Sequence, residues 1–153
     1  MIIKFNEYAY KRRQIEDRLY DNTDKIVEHL IKLYLMPTHE STNHWKREIY
    51  SFLNKIDKLK GSNKRPTQSQ IYTWTFGNKE DTIDNYFVRA MLDTVNYEYN
   101  ENIKINLSKF RTEIINICKS YFMWLAKELS VKGIVTPQQV YTKLERIFNY
   151  GKS

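Results

Sequence analysis

A chain of 153 residues with 41% hydrophobic and 28% charged side chains is enough for one domain, and 12 Tyr, 7 Phe and 3 Trp can fill its core without disulfide or metal staples. No apolar run approaches the roughly 18 residues of a membrane span, Met1 to Glu7 holds no apolar signal region, and the single Cys118 excludes an internal disulfide, so a cytoplasmic protein is expected. The formal net charge of +7 suggests an anionic partner, although Lys outnumbers Arg 17 to 8, as A+T-rich coding also produces.

Helical spacing begins near Phe5, where Tyr8, Ile15, Leu19, Ile26, Leu30 and Leu33 mark one face. Asp21-Asn22-Thr23-Asp24 reads as a break with Thr23 as a new N-cap, and Pro37 ends the region at Met36. After a polar connection capped by Ser41, Thr42 or Asn43, Trp45, Ile49, Phe52, Ile56 and Leu59 step by four, three, four and three, the spacing of one buried helix face. Arg47, Ser51, Asn54 and Lys58 lie opposite, with Lys55 beside them, up to a stop at Gly61.

Thr67-x-x-Gln70 has the form of a capping box, predicting a short helix through Phe76 closed by Gly77. The run Ile71 to Phe76 is rich enough in β-branched and aromatic residues to suit a strand, but no second strand is available to pair with it. From Lys79 to Tyr99, Ile83, Phe87, Met91 and Val95 step by four and predict another helix. Residues 106–129 form the strongest element: Leu107, Phe110, Ile114, Ile117, Tyr121 and Trp124 make one stripe, and Ile115, Cys118, Phe122, Leu125 and Leu129 a second beside it. A helix apolar over so broad an arc is central to its fold. Thr136-Pro137-Gln138-Gln139 supplies an N-cap, a Pro at the first helical position and a capping Gln for a last amphipathic helix carrying Val140, Leu144, Ile147 and Phe148 up to Gly151. The sum is a single all-α domain, a bundle of five to seven helices with a central buried helix at about 107–129, and Trp45, Ile49, Phe110, Ile114, Ile117, Phe122 and Leu144 in its core.

Catalytic motifs are scarce. The four glycines are isolated at helix ends, so neither common phosphate-cradling loop is present, and no His-Glu-x-x-His, Cys-x-x-Cys or nucleophile elbow occurs. Cys118 sits in the apolar stripe of the central helix as a small hydrophobe. His29, His39 and His44 with Glu40 are the one cluster of metal-ligand or hydrolytic character, but their spacing matches neither a helical pair nor a zinc finger. His29 adjoins an apolar face, and His39 and His44 are expected in solvent. The acids Glu16-Asp17 follow Lys11-Arg12-Arg13 and suit helical ion pairing, while Glu80-Asp81 and Asp84 suit a helix start. No enzyme, no metal and no cofactor is expected.

Charge placement is more informative than its total. Residues 44–66 carry seven Lys/Arg against Glu48 and Asp57, and residues 67–153 carry eleven against nine acids. The leading expectation is therefore a non-enzymatic binding or regulatory protein of a bacterium or its phage, engaging DNA or RNA phosphates through Arg47, Lys55, Lys58, Lys60, Lys64 and Arg65 within 46–65. The rival is a helical protein-interaction module (a phage structural subunit, a toxin–antitoxin partner or an inhibitor of a host complex) meeting a protein partner or forming a homo-oligomer through Tyr72, Trp74, Tyr97, Tyr99 and Tyr150.

Finally, His29-Leu30-Ile31-Lys32-Leu33 followed by Pro37, Ser41, Trp45, Ile49, Ile56 and Leu59 resembles the signature of the bacterial all-helical family called domain of unknown function twenty-nine, with Arg13 to Leu19 a looser upstream match. Leu33 stands where that family has Trp, one residue is inserted before Trp45, and the likeness covers residues 12–60. It implies a helical fold of bacterial origin and no assigned activity.

Overall fold

A computed structural model describes residues 22–56 and 66–149, with the backbone alone for 54–56. The described residues are all-helical. A first helix, α1, covers 22–35; α2 is Thr42–Ile56, α3 Gln68–Tyr72, α4 Asn85–Glu98, α5 Leu107–Lys132 and α6 Pro137–Phe148. A π-helical turn, Thr73–Gly77, continues α3, and a short 3-10 turn, Glu80–Thr82, precedes α4.

The two predicted capping boxes form as written. Thr67 Oγ1 accepts from Gln70 N–H while the Gln70 side chain accepts from Thr67 N–H, and Thr136 and Gln139 repeat the arrangement ahead of Pro137. Asn106 caps α5 by accepting from Lys109 N–H at 3.0 Å. Gly133, at φ 73°, closes it in the left-handed conformation that a glycine tolerates best. The run 71–76 is helical, not strand. Its π turn arises where Thr75 Oγ1 bonds back to the Ile71 carbonyl at 2.8 Å and Asn78 N–H reaches the Thr73 carbonyl, five residues back, at 3.0 Å. A Cβ at Gly77 would lie 3.1 Å from the Tyr72 carbonyl oxygen, so glycine is what lets the wider turn close.

The centre is α5. Its buried residues, from Phe110 and Ile114 through Cys118 and Phe122 to Leu129, span an arc of about 160° at 100° per residue. Against it pack α3, the π turn, α4 and α6, while α2 joins through α6. Phe76 from the π turn stacks on Phe122 at 5.7 Å, and Tyr34 of α1 stacks on Phe110 and donates its hydroxyl proton to Glu113. Of the seven expected core residues, Ile117 is half-buried and the other six are buried.

Three local expectations are corrected. Asn22 is already helical and both Asn22 and Thr23 are buried inside α1, so the helix does not restart with Thr23 as a cap. The fourth helix begins at Asn85 rather than Lys79, because Asp84 Oδ1 caps Phe87 N–H at 2.8 Å. On that helix a strict step of four drifts by about 40° each time against a 3.6-residue turn. The buried line is therefore Val88, Leu92 and Val95, with Phe87 and Met91 half-buried at its edge. Tyr8, Ile15, Leu19 and Leu59 lie outside the described residues.

Residues 78–84 are held by charge. Lys79, 3% exposed, places its ammonium 2.7 Å from Asp24 of α1; Glu80 pairs with Lys119 of α5 at 2.9 Å; and Arg111 Nε donates to the Ile83 carbonyl at 2.8 Å.

Two substitutions test the core. Ile114→Ala, at a fully buried position, is expected to lower unfolding free energy by about 2–5 kcal/mol. Tyr121 is fully buried and its hydroxyl has no hydrogen-bond partner among the described residues, so Tyr121→Phe removes an unsatisfied polar group. It is expected to raise stability by about 1 kcal/mol in chemical denaturation; a loss of stability would reveal a partner for the hydroxyl.

Candidate nucleic-acid interface

Amphipathic patterning sets the two faces of α2. Trp45, Ile49, Phe52 and Leu53 are at most 8% exposed, while Asn43, His44, Arg47 and Ser51 face solvent. Ser41 starts the helix: its carbonyl accepts from Trp45 N–H, and its own N–H donates to His39 Nδ1 at 3.0 Å, which leaves the ring proton of His39 on Nε2. The inner face is fastened by aromatic contacts. His39 stacks on Trp45 at 5.0 Å, Tyr99 meets both rings edge-on at 5.3 and 5.6 Å, and the Lys32 ammonium lies 5.6 Å from the Tyr99 ring centroid. One cluster thus ties α1, the 36–41 turn, α2 and the end of α4.

Of the proposed cations, Arg47 is the one whose side chain lies among the described residues. Arg47 is exposed with no ion-pair partner among the described residues, and Lys46 is half-exposed beside Glu145 at a cleft of about 60 Å³. Lys55 follows two turns after Arg47 on the helix backbone. Lys58, Lys60, Lys64 and Arg65 lie outside the described residues.

The histidines have separate surroundings. His29 donates Nδ1–H to the Lys25 carbonyl at 2.7 Å and meets the Phe52 ring edge-on at 5.3 Å. His44 is exposed, 3.9 Å from Glu48. His39 is half-buried in the aromatic cluster rather than in solvent, because the turn that starts α2 lays it across Trp45. Among the described residues no three of His, Cys, Asp and Glu are grouped to hold a metal ion. The buried Cys118 thiol has its pKa pushed well above the ordinary value by desolvation, which suppresses the thiolate.

The five aromatic candidates also separate. Tyr97 is 90% exposed; Tyr72 and Trp74 are half-buried against the core, Tyr99 is held in the cluster, and Tyr150 lies outside the described residues. Tyr86, 85% exposed, was not singled out from the sequence, although its spacing of eleven from Tyr97 on a helix with its apolar line opposite was a readable signal. A second cleft, about 200 Å³ between α5 and α6, is lined by Trp124, Glu128, Gln139, Lys143 and Arg146. Burial, and then Arg146, press the Lys143 ammonium below its ordinary pKa, while Glu128 is paired with Lys132 at 3.3 Å. Its lining thus holds two cations, Lys143 and Arg146, against one acid.

Comparison with models of protein families, with curated proteins and with solved structures found no match. The likeness of residues 12–60 to domain of unknown function twenty-nine therefore rests on the quoted sequence positions. Among the described residues no helix is long and apolar enough to cross a membrane.

A pH dependence follows from His29. Burial, opposed by the bond to Lys25 and assisted by Lys32, lowers its folded pKa below 6.5. The unfolded chain then binds the proton more readily, so this contribution to stability is complete above about pH 6.5 and is lost as pH falls through that value toward the folded pKa. Thermal unfolding of the wild type between about pH 5 and 7 should show this slope. His29→Gln is expected to flatten it, and an unchanged slope in the variant would contradict the assignment.

Proposed function

We propose that this protein is a non-enzymatic nucleic-acid-binding protein that engages phosphates through the outer face of α2 and the chain that follows it. Concentration of charge carries this reading. Residues 44–66 hold seven Lys/Arg against two acids, whereas the other 130 residues hold 18 against 16, so five of the seven net charges fall in 23 residues. Basicity inherited from coding bias alone would spread along the chain. The fold adds support at the described end of the segment, because burial of Trp45 and Ile49 turns Arg47 outward, with no acidic partner among the described residues.

Cations on a solvent-facing helix neutralise phosphates and release counterions, which gives affinity and register but no base readout. The protein is accordingly a sequence-tolerant binder. Among the described residues Trp45 and Phe52 of α2 are turned into the core and offer no stacking platform beside Arg47. Backbone contact is the favoured mode over base stacking.

Fluorescence-anisotropy titration with labelled duplex DNA and with single-stranded RNA tests the reading. With about six phosphate contacts, affinity is expected to fall about a thousandfold between 50 and 200 mM salt. Arg47→Glu/Lys55→Glu and Lys58→Glu/Lys64→Glu are each expected to reduce the salt slope by about two. Absence of binding to either nucleic acid at low salt would overturn the proposal, as would binding indifferent to both charge reversals.

A further inference from the structure

The exposed side of α4 is organised in a way its inner side does not require. Tyr86, Ala90, Asp93 and Tyr97 are all exposed, at steps of four, three and four. At 100° per residue they fall within an arc of about 60°, opposite buried Val88, Leu92 and Val95. Tyr86 and Tyr97 are 85% and 90% exposed, the two most exposed large apolar side chains among the described residues. They stand about 16 Å apart along the helix, with the smallest side chain of the stripe, Ala90, between them.

Asp93 lies at one edge of this arc and Arg89 just beyond it on the same side. They are four residues apart, yet no ion pair joins them, in keeping with the weaker of the two helical orientations, basic residue first. Neither has another ion-pair partner among the described residues. The stripe therefore presents two tyrosines, a small gap and one unused charge of each sign.

We propose that this face is the contact surface of a twofold homodimer, in which α4 of a second copy of the chain lies antiparallel against it. A twofold axis beside residues 91–92 sets Tyr86 opposite the partner's Tyr97 at both ends of the contact and places Ala90 where the helices approach. The same axis keeps each flank on its own side, so Arg89 meets the partner's Asp93, and Asp93 the partner's Arg89. A parallel twofold pairing instead exchanges the flanks and sets Arg89 and Asp93 against the partner's Ala90 and Thr94, which carry no charge. Charge complementarity thus selects both the occupant and its direction, the self-complementarity that an isologous interface demands. Contact along one helix of 14 residues falls short of a standard interface, so the dimer is a reversible one with a Kd on the order of 10 μM.

Sedimentation equilibrium of the full chain, at concentrations spanning roughly a hundredfold around that value, provides the test. The wild type is expected to show a monomer–dimer equilibrium, and Tyr97→Glu to weaken it at least about thirtyfold. Arg89→Asp is expected to weaken it about tenfold by opposing acid to acid, and Arg89→Asp/Asp93→Arg to restore most of the loss. All three substitutions are at exposed positions, and unchanged circular dichroism verifies the fold. A chain that stays monomeric throughout would overturn the proposal. So would a dimer insensitive to Tyr97→Glu, or a double charge swap no tighter than Arg89→Asp alone.

Discussion

A helix whose apolar side chains cover nearly half of its circumference has no stable arrangement in water until other elements close over it. That requirement, imposed by α5, organises the described structure. One element covers only a stripe, so a buried arc of about 160° needs several covers. The chain supplies α3 with its π turn, α4 and α6, each short and each apolar on one side. Phe76 against Phe122, and Tyr34 against Phe110, fill places that the backbone of these covers does not reach. Removal of apolar area from water at about 25 cal/mol per Å² is the driving term, and exchange of side-chain freedom for fixed packing opposes it.

Packing on α5 does not by itself position the segment before α4. There the chain relies on polar groups. Lys79 is almost wholly removed from solvent and faces the more exposed carboxylate of Asp24, while Glu80 and Arg111 tie the neighbouring residues to α5. Desolvation of an ammonium is costly, so the pair acts mainly against arrangements that would leave Lys79 buried without a counter-charge. The cluster of His39, Trp45 and Tyr99 acts at the other side of the fold with ring contacts in place of charge. It is what joins α2 to the end of α4.

These constraints divide the surface by use. The inner faces of α2 and α4 are consumed by the core, which leaves their outer faces to differ: Arg47 stands exposed on α2, while α4 is tyrosine-lined with Arg89 and Asp93 beside the rings. Two chemistries on two separate helices permit separate partners. In the proposed dimer a second copy on α4 would leave α2 free, and the pair would display two copies of the proposed basic segment at once.

Amphipathic spacing, capping boxes at Thr67 and Thr136, and the double stripe of 107–129 were enough by themselves to determine an all-helical chain with α5 at its centre, because these signals depend on neighbours within one turn of the backbone. The outward turn of Arg47 was legible for the same reason. Tertiary structure alone decided that Tyr99 and His39 are packed against each other and Trp45, since that contact depends on which distant elements arrive, and a local period carries no record of it. It also decided the burial of Lys79, whose partner Asp24 lies 55 residues earlier. The start of α4 slipped between the two kinds of information: Asp84 is a readable cap, but the acids at 80 and 81 offered an equally plausible beginning until Lys119 claimed Glu80. Local order was written in the residue spacing; the pairing of faces had to await the whole chain, because burial is a property of the assembled fold.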